Sequence, residues 1–232
     1  VVDENGDDAI VQSATVQNGT SAVMQGVAGD LYSIGYISLG SLDDSVKALN
    51  VNDVEATPEN IASGEYEVAR NFNVTYAGEL SEVAKDFWNF IFSAQAQALA
   101  EEEGYVAVDS AAPEYEAQGL SGSIQIVGST SVEPVMLRIS EAYRELNPDV
   151  TIDVTAPGSG AGITAAIDGT ADIGMASREL DEEEQAQVTE TAALAVDGIA
   201  VIVHLDNPTE GLSMDEIGGI YLGDTTTWDA VQ

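Results

Sequence analysis

"IVGSTSVEPV", residues 126–135, reads as the end of a buried strand, a turn of small residues and the first turn of a helix. Ile124 to Val127 is a short apolar run, and Val132, Val135, Met136, Ile139, Tyr143 and Leu146 follow it at helical spacing. Asn147-Pro148 stops that helix, and Val150 to Val154 forms a second strand. Gly158-Ser159-Gly160 then opens a helix running to about Ile167. Ala171 to Met175 is a third strand, followed by Ser177 and an acidic helix beginning near Glu179. Apolar runs that alternate with helical patterns in this way predict an α/β fold with a mainly parallel sheet.

The flanking regions continue the pattern. Ile199 to Leu205 is a further buried strand, with a short helix from Ser213 toward Tyr221. Upstream, a helix over Ala22 to Val27 precedes the strand "SIGYISLG", 33–40. Arg70 to Tyr76 reads as a strand, Leu80 to Ala100 as one long helix with Phe87, Phe90 and Ile91 inward, and Tyr105 to Val108 as a strand. Residues 109–123, "DSAAPEYEAQGLSGS", have the composition of a linker.

The 232 residues carry 41 Asp and Glu against 6 Lys and Arg, a formal charge of −35. That field repels phosphate backbones and excludes a general nucleic-acid or anionic-membrane binder. An anion must therefore be held by local dipoles and donors. Acid spread over a solvated surface suits molar salt, where the Debye length is about 3 Å, so a halophilic origin is expected. There are no cysteines, which removes disulfides and thiolate metal sites. No apolar run has membrane-spanning length. "DENGDD", 3–8, lacks the glutamate that a calcium loop requires and is read as a loop.

Three turns bring small hydroxyl residues to the point where strand becomes helix: Gly128-Ser129-Thr130-Ser131, Gly158-Ser159-Gly160 and Ala176-Ser177-Arg178. Parallel strands share one carboxyl edge, so the turns should converge there. Unpaired helix N–H groups, hydroxyls and Arg178 together suit a tetrahedral oxyanion, without metal, cofactor or catalysis. Thr130, Ser131, Ser159, Gly160, Ser177 and Arg178 are the candidate ligand residues. The plainer readings are helix capping, with Thr130 and Glu133 as a capping box and Ser159 and Ser177 as caps, and an Arg178–Glu182 ion pair. His204, the single histidine, lies in the apolar stretch "IAVIVHLD" and reads as a core or strand-end residue, which leaves no Ser-His-Asp triad. "PGSGA" does not fit a nucleophile elbow, because Pro157 occupies the place of its first glycine.

The stretches "GSIQIVGSTSVEPV", "YRELNPDVTIDVTAPGSGAGITAAIDGTADIGMASREL", "AVDGIAVIVHLDNP" and "LSMDEIGGIYLGDTTTW" resemble the phosphate-binding protein family of the phosphate-specific ABC transporter. "SIGYISLGSL", "VKALNVNDVEATPENIASGEYEVARNF" and "FWNFIFSAQAQ" are similar to that family's carboxyl-terminal half, so the order is reversed. The resemblance implies a two-lobed periplasmic-binding-protein type II fold with permuted connectivity, residues 109–123 joining the family's termini. Residues 70–197 would form one lobe and 1–69 plus 198–232 the other. Crossings near 64–70 and 196–198 would serve as a hinge, with closure on inorganic phosphate held in the cleft.

Carried over residue by residue, Thr130 and Ser131, Ser159 with its neighbour Gly160, and Ser177 with Arg178 supply the three turns. Some family members have an aspartate at the position of Arg178, where it accepts a phosphate proton. The family's arginine and Ser-Gly-Thr turn, expected between the equivalents of Trp228 and Val1, is not found between Gln232 and Val1, so reduced affinity is expected. The resemblance further implies an extracytoplasmic monomer that serves a membrane permease, with segment exchange between two chains as the alternative. A non-binding scaffold with an incomplete cleft is the alternative to the function itself.

Overall fold

A computed structural model describes residues 9–231, so the loop expected at 3–8 and the chain ends at Val1 and Gln232 lie outside the described residues. The chain divides into two compact units, Ala69–Gly198 and a second made of the flanking segments, residues 1–68 and 199–232.

The flanking unit opens with α1 (Thr20–Ala28), β1 (Ile34–Ser38), β2 (Lys47–Ala48), β3 (Asn50–Val51) and α2 (Pro58–Ser63). Thr57 caps α2 by accepting the Asn60 N–H at 3.2 Å. The larger unit follows with β4 (Ala69–Tyr76), α3 (Glu82–Ile91), α4 (Ala94–Glu102), β5 (Val106–Ala107), β6 (Gly122–Gly128), α5 (Glu133–Leu146), β7 (Val150–Thr155), α6 (Ser159–Ile167), β8 (Ile173–Ala176), α7 (Glu182–Gln185) and β9 (Glu190–Val203). The chain then returns to the flanking unit as β10 (Gly211–Leu212) and α8 (Met214–Leu222). Residues 199–203 of β9 pair antiparallel with β1, and β10 pairs parallel with β3. Ser213 and Glu216 form a capping box that starts α8.

In the larger unit β7, β6 and β8 are parallel, as the alternating pattern predicts. The sheet is nevertheless mixed, because β4 lies antiparallel between β8 and residues 190–198 of β9, and β5 also pairs antiparallel with β9. A buried aromatic group packs against the sheet: Phe87 and Phe90 of α3 meet Tyr143 of α5 at ring-centroid distances of 5.0 and 5.3 Å. Such edge and tilted contacts add roughly 0.5–1.5 kcal/mol each beyond the area they bury.

The single helix expected over 80–100 is two helices. The Ser93 N–H turns back to the Phe90 carbonyl, and the Ser93 hydroxyl both donates to that carbonyl at 2.7 Å and caps α4 by accepting the Ala96 N–H. A buried serine that satisfies the broken turn and starts the next makes the break inexpensive. Residues 109–121 have no regular structure, yet part of this stretch is held firmly. Tyr115 exchanges two hydrogen bonds with the Gln95 side chain, and its hydroxyl donates to Asp86 at 2.6 Å. Tyr143 donates to the same Asp86 oxygen at 2.8 Å, and burial together with that carboxylate raises both phenols, Tyr143 far above its ordinary range.

Candidate functional site

The three small-residue turns stand at the carboxyl ends of the parallel strands β6, β7 and β8, all within the larger unit. They are tied to one another through the backbone. Gly158 N–H donates to the Gly128 carbonyl at 2.8 Å, and Ser129 N–H donates to the Met175 carbonyl at 3.0 Å. Glycine is required where α6 presses on the strands. A Cβ on Gly128 would lie 2.1 Å from the Met175 carbonyl oxygen, and one on Gly162 would lie 2.5 Å from Gly128 Cα.

The hydroxyls do not act as the capping reading expects. Helix α5 begins at Glu133 after Val132, with no side-chain cap, so the Thr130–Glu133 capping box does not form. The Ser129 carbonyl instead accepts the N–H groups of both Val132 and Glu133, and Ser129 Oγ accepts the Ser131 N–H at 3.2 Å. The turn therefore curls on Ser129 and leaves Thr130 half-buried at its outer side. Gly158, with no side-chain oxygen to offer, stands at the N-cap of α6, and Ser159 is that helix's first residue. Ser159 Oγ reaches across to the third turn, accepts the Ser177 N–H at 3.1 Å and lies 3.3 Å from Ser177 Oγ. Gly160 is exposed on the first turn of α6, and a Cβ there would meet nothing within 4 Å.

The segment after Ser177 also differs from expectation. The acidic helix starts at Glu182, not near Glu179, because Asp181 and Glu184 form the capping box. Arg178 pairs with Glu184 and not with Glu182, through two hydrogen bonds of 2.7 Å, and it also donates to the Glu179 carbonyl. This fork holds the Glu184 carboxyl below its usual range and raises the guanidinium. Asn73 of β4 donates to the Arg178 carbonyl at 3.0 Å and braces the same turn.

Sequence reasoning missed Arg70. It lies in β4 directly across from Asp197 of β9, and its Nε donates to the fully buried Asp197 carboxylate at 3.1 Å. Its Nη2 donates to Ser131 Oγ at 3.1 Å. The available signal was scarcity, since the chain has only four arginines. His204 is the residue just past the end of β9, and its Nδ1 accepts the Asp206 N–H at 3.0 Å, the strand-end role expected of it. Among the described residues no group of His, Asp or Glu is arranged to hold a metal ion.

A family model described as a PBP superfamily domain matches residues 113–232. The chain is 44% identical over 225 residues to phosphate-binding protein PstS 2 of Streptococcus pneumoniae, covering 97% of this chain and 77% of that one. It is 45% identical over 217 residues to PstS 2 of Streptococcus agalactiae, covering 93% and 74%. A crystal structure of the phosphate-binding protein of a phosphate ABC transporter from S. pneumoniae superposes with a TM-score of 0.78 at 44% identity, covering 97% of this chain and 87% of that one. Such relatives are substrate-binding proteins of transport and not enzymes. Identity at this level over nearly the whole chain, on a matching α/β fold, places the chain in the PstS family of phosphate-binding proteins within the PBP superfamily.

Proposed function

We propose that the chain binds inorganic phosphate at the three turns of its larger unit, as the substrate-binding component of an ABC transporter. The observation that carries this reading is the Ser159–Ser177 hydrogen bond, which joins two small-residue turns at the end of adjoining β-α units. Thr130, Ser131, Ser159 and Ser177 would supply hydroxyl and backbone donors, and Gly160 would leave room for the anion's approach. Arg178 takes part as the anchor of the third turn, its guanidinium committed to Glu184. In a chain of net charge −35, such a site works by short-range, oriented donors. The empty-scaffold alternative is not favoured by relatives whose names are those of phosphate-binding proteins.

Thermal unfolding in phosphate, arsenate, sulfate, molybdate and buffer tests the assignment. A ligand at a hundredfold excess over its dissociation constant adds about 2.7 kcal/mol to stability. Phosphate and arsenate are expected to raise Tm and sulfate not to; stabilisation by sulfate or molybdate without phosphate would overturn the ligand, and no response to any anion would favour the scaffold.

Four further proposals accompany this one. The two units are taken as the family's two lobes, a reading supported by the unit boundaries at Ala69 and Gly198. The segment order is taken as rearranged relative to the family's usual order and as natural, a reading supported by a match that runs over 225 residues of the S. pneumoniae relative. The protein is taken as an extracytoplasmic monomer that delivers phosphate to a membrane permease; among the described residues no helix is long and apolar enough to cross a membrane. The acidic composition is taken as salt adaptation, and Tm should rise between low and molar KCl.

A further inference from the structure

We propose that Arg70 is a positioning residue of the phosphate site, one that orients the Ser131 hydroxyl through a guanidinium locked onto the buried Asp197. The inference rests on the phosphate reading and adds to it a residue on a strand outside the three turns.

Two arginines stand near those turns, and they are engaged differently. Arg178 spends its fork on both oxygens of Glu184 and on the Glu179 carbonyl, so it ties its own loop. Arg70 is the one whose guanidinium reaches a turn hydroxyl, Ser131 Oγ, at 3.1 Å. Its position is set three ways. Arg70 and Asp197 are direct cross-strand partners, their ion pair is 3.1 Å long with the carboxylate fully buried, and the guanidinium carbon lies 5.6 Å from the centre of the buried Phe72 ring. A buried carboxylate needs its cation, so the arrangement resists rearrangement.

The consequence for Ser131 follows from the inventory of a hydroxyl, one proton and two lone pairs. A lone pair of Ser131 Oγ is taken by the Arg70 N–H, which directs the Ser131 proton away from Arg70. The oxygen also feels the guanidinium charge, which makes its O–H a stronger donor. An anion that reaches Ser131 Oγ thus meets a hydroxyl whose rotation Arg70 already restricts, and bears less of the cost of orienting it. Lysine cannot reproduce this, since its ammonium is a point charge without the planar fork that spans Asp197 and Ser131 together.

The test is calorimetric titration of inorganic phosphate into the full chain and into R70M, R70K, S131A, the R70M/S131A double variant and R144Q, with folding checked by circular dichroism and Tm. R144Q removes the same charge from the exposed last turn of α5 and should stay within about twofold of wild type. R70M is expected to weaken binding by about tenfold to a hundredfold. R70K, which keeps the charge and provides the readout if R70M fails to fold, is expected to lose at least about fivefold. The double variant should be no more than about twofold weaker than the more affected single variant, because both changes remove one interaction. Folded R70M or R70K that binds phosphate within twofold of wild type overturns the proposal, as do additive effects in the double variant. If the wild-type chain itself binds no phosphate, the phosphate reading fails first and this inference with it.

Discussion

The glycines around the three turns fall into two groups with opposite surroundings. At the base of the turns, Gly128, Gly162 and Gly174 are jammed: a Cβ on any of them would come within 2.6 Å of a neighbouring backbone atom. At the outer edge, Gly158 and Gly160 have nothing within 4 Å of where a Cβ would stand. The first group is explained by packing, because helix α6 can lie on β6 and β8 only if no side chain intervenes. The second is not explained by packing. Gly158 is accounted for by its backbone, at φ +125°, whereas Gly160, on the first turn of α6 beside Ser159, leaves open the space that an approaching anion would need.

Three glycine substitutions test that contrast and a fourth tests the Arg178 fork beside it, from the largest effect to the smallest. Gly128→Ala should cost at least about 3 kcal/mol, since the methyl meets carbonyl and backbone atoms that cannot swing away; denaturant unfolding measures it, and a loss below 1 kcal/mol would mean the base is not rigid. Gly158→Ala should cost about 1–3 kcal/mol by strain alone, because φ +125° with ψ 161° is a backbone state that only glycine adopts freely. An unchanged Tm there would remove strain from the account.

Gly160→Ala should raise stability by about 0.5–1 kcal/mol through helix propensity while it weakens phosphate binding. Titration showing unaltered affinity would place the anion elsewhere than the outer edge. The smallest effect is expected for Glu184→Gln, less than about 1 kcal/mol for a largely surface pair. Its pH dependence has a definite sign. The Arg178 fork holds the folded Glu184 carboxyl below its ordinary pKa, so the stabilisation is present above the ordinary carboxylate range and lost as pH falls through the folded value. The Tm difference between wild type and E184Q should accordingly shrink on acidification; a constant difference down to low pH would show that the fork is not electrostatic.

Local pattern made much of the fold legible. The strands through Ile126, Val150 and Ile173 and the helices α5 and α6 are visible because each buries apolar residues, and burial imposes a period on the sequence. The break at Ser93 was not visible, since nothing in the spacing of Phe87, Phe90 and Ile91 distinguishes one helix from two. The antiparallel insertion of β4 beside β8 was equally hidden, because strand direction is decided by pairing partners far along the chain, as Val74 with Met175. At the candidate site, Ser131, Ser159 and Ser177 are singled out by their place between strand and helix. Their uses were not, because a serine at such a position serves equally as a cap, a bridge or a ligand.

By itself the sequence determined the class of the protein: alternating β-α units, three hydroxyl-bearing turns on one sheet edge, and a charge that forbids capture of an anion by net attraction. It also bore enough likeness to the PstS family to name the ligand worth testing. Only the tertiary structure decided which arginine does what. Arg178 closes a fork with a residue six positions on, whereas Arg70 meets Asp197, 127 positions away, and through Ser131 reaches the turn. The reason is physical: local periodicity records which faces are buried, but the partner of a buried charge is fixed by which strands lie side by side.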